Sequence, residues 1–300
     1  MDLWILLALA AAFFQTLRFM LQKQLSAVKL TASGATFARF VYSAPIAATI
    51  ALTYFWQAGV PVPDMGQGFW PFAIAGGFSQ ITATVCTVLL FGRRNFAVGL
   101  TFTKIAVLFS VLFGWVLIGD AISPWSFMAI CIGFAGVLVL SGPMEGVGVW
   151  WKRLISPSAA LGLLGGALFG VSGVAYRGAT LAIESSDPFE RAIVTLAIVT
   201  SLQLASMTVW LYLRDRAEIG KVLGAWRTAG FVGLTSLAGS FCWFTAYTLQ
   251  NAAYVNAVGQ IELIFGIIAT VLFFNETISK REYLGIVLIA SSVLGLVIWS

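Results

Sequence analysis

The residues best placed to do chemistry lie where an ionisable group is costly. Glu262 sits inside the apolar run NAVGQIELIFGIIATVLFFNE (256–276), and Lys104 sits inside a second such run. A charge near the bilayer centre costs at least about 2.5 kcal/mol on insertion scales, so it normally faces the bundle interior, pairs, or serves a pathway. Gly259 and Gly266 lie three residues before and four after Glu262, which puts small residues on its face and argues against contact with lipid. Burial penalises the charged form of a carboxylate. In a chain with no histidine, Glu262 is therefore the obvious intramembrane proton carrier; the bland alternative is a carboxylate locked in place by hydrogen bonds. Three readings stand for Lys104: a partner for Glu262, a site for a substrate carboxylate, or a lysine snorkelling to the interface.

Around these charges run two polar-aromatic stripes. Ser236, Ser240, Trp243, Tyr247 and Gln250 or Asn251 recur at helical spacing, and Gln80, Thr84, Thr87 and Phe91 repeat that spacing in the first half. A stripe of this kind points inward, where it can bind an amphipathic solute by hydrogen bonding and stacking. Weak interhelical hydrogen bonding is the competing explanation. Gln260 lies at the depth of Lys104 and Glu262 and joins the expected binding set. On the first helix Gln15, Arg18 and Gln22 share a face, with Arg18 read as a cytoplasmic anchor.

The elements that must hold these residues are set by composition. The chain is 60% hydrophobic and 10% charged, far too apolar for the surface of a soluble domain. Three cysteines scattered in apolar runs and the missing histidine exclude a disulfide framework and a His/Cys zinc site. No P-loop pattern occurs, so ATP-driven transport by this chain alone is not expected, and no cofactor or metal is expected. The net charge of +5 forms no contiguous patch, so no nucleic-acid partner is expected either. The opening MDLWILLALAAAFF has an acidic start and reads as a retained helix rather than a cleaved signal.

Spanning helices need about 20 apolar residues. Ten segments qualify, near 3–21, 33–57, 69–90, 96–118, 124–141, 157–179, 188–212, 228–249, 254–274 and 283–299. The expectation is an all-α integral membrane protein. Aligning Asp120 with Glu276 brings, at the same offset, Asn95 onto Asn251, Phe109 onto Phe265, Gly77 onto Gly233 and Cys86 onto Cys242. Residues 1–142 and 157–300 thus form two five-helix repeats joined by 143–156. An odd number of helices per repeat inverts the second relative to the first. Basic residues gather on one set of alternating loops, including Arg93, Arg94, Lys152, Arg153, Arg214 and Arg216, while the other set holds only Arg177 and Arg191. The positive-inside rule then places both termini outside the cytoplasm, in a cell (inner) membrane. GLLGGALFGVSG (162–173), with glycines at four-residue spacing, reads as a close-packing groove, and Trp70, Trp150, Trp151 and Trp299 read as interfacial anchors.

The stretch IELIFGIIATVLFFNETISKREYLGIVLIASSVLGLVI resembles the EamA-like transporters of the drug/metabolite transporter superfamily, with Glu262 and Glu276 on the pattern's two acidic positions. Arg39 resembles the arginine that often opens that family's second helix. Two features depart from the pattern: Ala106 stands where a first-half Glu is common, and the loop charge bias is reversed. The resemblance implies a secondary transporter of a small metabolite, amino acid or amphiphilic drug, working by alternating access. Export coupled to protons through Glu262 is the expected mode. An uncoupled exchanger or facilitator is one alternative, and a non-transporting membrane subunit, such as a lipid-linked flippase partner or scaffold, is another. A monomer is expected to suffice.

Overall fold

Helices begin and end in this chain where local chemistry dictates. Thr31 caps one start by accepting a hydrogen bond from the Gly34 amide at 3.0 Å. Asp187 caps another by accepting from Phe189 N at 2.8 Å, with Pro188 in the first turn. Gly59 and Gly119 close two helices in the left-handed region, with φ of 67° and 77°. The computed structural model describes residues 2–92, 103–140, 157–274 and 280–299. Every regular element among the described residues is helical: α1 (Leu3–Val28), α2 (Ala32–Ala58), α3 (Phe69–Phe91), α4 (Ala106–Ile118), α5 (Pro124–Leu140), α6 (Pro157–Leu181), α7 (Pro188–Arg214), α8 (Arg216–Gly224), α9 (Trp226–Leu249), α10 (Ala252–Val258), α11 (Glu262–Phe274) and α12 (Lys280–Trp299).

Six of these are long and apolar enough to cross a membrane: α1, α2, α3, α6, α7 and α9. Shorter apolar stretches occupy 106–118, 124–136, 252–268 and 283–295. The outer surface carries large apolar side chains, with Trp56, Phe78, Leu213 and Ile298 all well exposed, as suits a protein dissolved in lipid. Arg93, Arg94, Asn95, Lys152, Arg153, Trp150, Trp151, Glu276 and the connecting loop lie outside the described residues.

Two features differ from expectation. The segment at 254–274 is not one continuous helix: α10 ends at Val258, a 3-10 turn covers Gly259–Ile261, and α11 starts at Glu262. The connection between the segments at 188–212 and 228–249, expected as a loop carrying Arg214 and Arg216, is likewise not a plain loop, because Arg216–Gly224 winds into α8.

The closest packing crosses the midpoint of the chain. Helix α3 lies along α6, α1 along α9, α5 along α12, and α2 along α7 and α9. Gly170 lets α6 approach α4, since a Cβ there would stand 2.7 Å from the Phe109 Cβ and 2.8 Å from the Ala106 carbonyl. One glycine of the expected groove thus serves close helix contact. At one end of the bundle the α2–α3 and α6–α7 loops pair through backbone. Gly66 N donates to Ala182 O at 2.8 Å, and Glu184 N donates to Asp64 O at 2.9 Å.

At the opposite end α8 docks through one buried carboxylate. Glu218 Oε1 accepts from the Thr31 amide at 2.5 Å and the Thr31 hydroxyl at 2.9 Å, and Oε2 accepts from Lys221 Nζ at 3.1 Å. Gly34 leaves the space this side chain needs. Burial pushes the carboxyl up, but Thr31 and Lys221 together outweigh it and hold the group below the ordinary carboxylate value. A depressed folded value means that its stabilisation is complete above the ordinary value of 4.5 and is lost as pH falls through the folded one. Glu218→Gln should therefore cost about 1–3 kcal/mol at neutral pH and flatten the acid side of the stability curve. Thermal melts from pH 7 downwards measure both effects.

Candidate functional site

The breaks in the helices place the polar residues. Lys104 lies in a turn just before α4, where Val107 N and Leu108 N reach back only three residues, to the carbonyls of Lys104 and Ile105. Glu262 begins α11 directly after the 3-10 turn, which starts at Gly259. A Cβ on Gly259 would collide with the Trp243 indole, so glycine is what allows this turn to approach α9.

These two breaks face each other across a cavity of about 60 Å³. Its wall is shared by Gln15 of α1, Gln80 of α3, Lys104, Phe169 and Tyr176 of α6, Trp243 and Tyr247 of α9, Asn256 of α10, and Glu262. Pockets for metabolite-sized ligands run to roughly 300–1,000 Å³, so this conformation holds water-sized contents and would have to widen to admit a solute.

Lys104 Nζ contacts Glu262 Oε2, and both side chains are almost fully shielded, at 8% and 1% exposure. The same oxygen accepts from Gln15 Nε2 at 3.0 Å, and Gln15 Oε1 accepts from Trp243 Nε1 at 3.1 Å. The indole stacks on Tyr247 at 5.6 Å between centroids. Tyr247 then donates to Asn256 Oδ1 at 2.7 Å, and Asn256 Nδ2 donates to Ser110 Oγ at 2.7 Å. On the opposite wall Tyr176 donates to Gln80 Oε1 at 2.9 Å. Gln203 Nε2 donates to that oxygen at 3.0 Å and to Gly77 O at 3.1 Å.

Of the residues expected to bind substrate, Gln80, Lys104, Trp243, Tyr247 and Glu262 meet at this cavity, joined by Gln15 and Gly259; Thr84, Thr87, Phe91, Ser240 and Gln260 do not line it. Thr84 and Thr87 turn their hydroxyls back to the carbonyls of Gln80 and Ala83 at 2.8 Å each. Phe91 packs edge-on against Phe19 at 5.6 Å, and Ser240 is the acceptor for Arg39 Nη2 at 2.9 Å. Gln260 is buried away from the cavity, with its amide oxygen close to Gly133. Arg18 is no interfacial anchor: it is 3% exposed, with its guanidinium 4.4 Å above the Phe19 ring. The face shared by Gln15, Arg18 and Gln22 signals this inward direction, and the loop-charge argument misled because it weighed Arg18 only as a flank.

Sequence reasoning passed over Tyr176, Gln203 and Asn256, each an isolated polar residue with no spacing to mark it. It also treated Arg177 only as a loop charge. Arg177 is a half-buried clamp, with Nε and Nη2 at 2.7 and 3.2 Å from the two Asp120 oxygens. Its Nη1 donates to the carbonyls of Tyr247 and Gln250 at 2.8 and 2.9 Å. That bidentate fork ties the end of α9 to the α4–α5 turn.

A model of the EamA-like transporter family matches residues 156–298. Over these residues the chain is similar to that family. EamA-like proteins are membrane transporters of the drug/metabolite transporter superfamily rather than enzymes, and with its long apolar helices this EamA-like chain is a multi-pass membrane protein. No curated protein matches it. Among 23 matching solved chains, one crystal structure of a protein aligns with TM-score 0.62 and 16% identity, over 97% of this chain and 99% of that one. At that identity the likeness is one of fold.

In the EamA-like chain the ion pair is also a vulnerable point of the core. Removing one partner of a buried pair typically costs about 3–5 kcal/mol, because the other charge is stranded. Lys104→Met should lower stability by that order in purified protein, and Lys104→Met/Glu262→Gln should recover much of the loss. A double-mutant cycle on melting temperature checks the coupling; additive losses would dismiss it.

Proposed function

We propose that this chain is a ten-span secondary transporter whose two halves, residues 1–142 and 157–300, are inverted five-helix repeats that rock about the Lys104–Glu262 cavity. The supporting observation is the matched pair of breaks. Lys104 and Gln260 are equivalent at the repeat offset, so the turn before α4 and the 3-10 turn at Gly259–Ile261 fall at corresponding positions. Discontinuous helices meeting at the midplane are the usual seat of substrate and ion sites in inverted-repeat carriers. The packing agrees with the same exchange. Swapping the halves turns the α3–α6 contact into α9–α1 and maps α2–α7 and α5–α12 onto themselves.

The proposed cargo is a small metabolite, amino acid or amphiphilic drug. It is exported across the cell membrane by one chain acting alone, with both termini outside the cytoplasm. Protonation of Glu262 would release Lys104 and free the Gln15–Trp243 link, which couples a proton to the cavity wall. The pair also supports a second reading, because Lys104 neutralises Glu262 without any proton, as an uncoupled exchanger would need.

Proteoliposomes with and without a pH gradient separate the two readings, using a panel of amino acids, nucleobases and amphiphilic cations. Gradient-driven flux should fall at least tenfold in Glu262→Gln while counterflow exchange persists. Wild-type rates in that variant at every pH would eliminate the proton role and leave the exchanger.

A further inference from the structure

Next to the cavity lies more positive charge than the described residues balance. Helices α1 and α2 run antiparallel, in a register set by Gln22 Nε2 donating to Ala35 O at 2.9 Å. One turn back along α1 and one turn on along α2 bring Arg18 and Arg39 to the same level. Both are buried, at 3% and 1% exposure, and they lie close enough to act on each other electrostatically. Arg18 follows Gln15 by three residues on one face of α1, and Ser240, the acceptor for Arg39, precedes Trp243 by three on α9; Gln15 and Trp243 both line the cavity.

The donors of these two side chains are largely unmet. Arg39 Nη2 donates to Ser240 Oγ, but Arg39 Nε and Nη1 and Arg18 Nε and Nη2 have no acceptor among the described residues. Guanidinium groups do not shed their proton in proteins, so both charges stay. Glu262 is already matched by Lys104, and its free oxygen Oε1 can serve only one further guanidinium. Beside Arg39 stand two more buried hydroxyls without partners, Ser43 one turn on along α2 and Ser236 one turn before Ser240 on α9. Several donors and a surplus of positive charge thus converge where α1, α2 and α9 meet.

Buried charge of one sign with open donors is a receptor for the opposite sign. Arginine forks suit the planar or tetrahedral oxygens of carboxylate and phosphate groups. We infer that Arg18 and Arg39 form an anion site at the edge of the Lys104–Glu262 cavity, and that the solute carried is an organic anion bearing a carboxylate or phosphate. Its oxygens take the free guanidinium donors, with the Ser43 and Ser236 hydroxyls alongside. The binding half of this inference stands on the residues themselves; the carrying half rests on the transporter reading.

The test uses the full chain in detergent, with melting temperature read at matched ionic strength. The probes are inorganic phosphate, glycerol phosphate, succinate and glutamate, with succinamide and choline as uncharged and cationic controls. At least one anion, well above its dissociation constant, should raise the midpoint by roughly 5 °C, and whichever class succeeds tells carboxylate from phosphate. Arg18→Gln and Arg39→Gln should abolish that shift. Should either fail to fold, Arg18→Lys and Arg39→Lys keep the charge, lose the fork, and should weaken binding at least tenfold.

Anions that stabilise no better than succinamide, or a shift untouched by all four substitutions, overturn the anion site. Proteoliposome counterflow separates this inference from the transporter reading. Binding without movement rejects transport and keeps the site. Movement of neutral or cationic solutes, unaffected by Arg18→Gln, keeps transport and rejects the site.

Discussion

The desolvated contact between Lys104 and Glu262 is the constraint around which the rest of the fold is arranged. Neither charge could be left alone in an apolar bundle, and the two meet where a turn precedes α4 and a 3-10 turn precedes α11. Continuous helices would leave no irregular backbone at the meeting point. They would also hold α10 off α9, whereas Gly259 admits the Trp243 indole against the turn. From that indole the polar contacts run through Gln15 to the carboxylate on one side, and through Tyr247 and Asn256 to Ser110 on the other. Buried groups that hydrogen-bond in series fix one another's orientation, and the wall they make here draws on helices from both halves of the chain.

Much of this was legible in the sequence, for identifiable reasons. Lipid as solvent leaves a bundle of helices as the simplest solution, and long apolar runs punctuated by glycine, proline and charge locate them to within a few residues. Glu262 and Lys104 were visible because a charge in such a run is conspicuous. Trp243 and Tyr247 were visible because aromatic residues at helical spacing mark a face. The face itself did not distinguish cavity from packing. Ser240 and Thr87 hold corresponding kinds of place on the two stripes, yet the first serves Arg39, 201 residues away, and the second bonds its own helix. Tyr176, Gln203 and Asn256 left no periodic trace at all. The 3-10 turn at Gly259 was hidden for a similar reason, since glycine in a membrane helix signals close approach as often as a break.

Arg18 teaches the complementary lesson. Charge counting along loops treats every arginine near a helix end as a topological marker, and it works because most of them are. An arginine one turn from an inward-facing glutamine is a different case, because helical geometry fixes its direction before any loop statistic applies. The same applies to Arg177, whose fork grips a carboxylate and two backbone carbonyls.

The polar ties at the loop end of α2, α6 and α9 are concentrated on one side of the bundle. There the 64–66 and 182–184 segments share backbone bonds, and Arg177 clamps Asp120 to the last turn of α9. Any motion that parts the halves on that side must break these links together, so it would proceed as a single concerted release rather than a gradual loosening. Because the clamp is ionic and not fully buried, dissolved salt would ease that release, leaving this end of the bundle responsive to the surrounding medium.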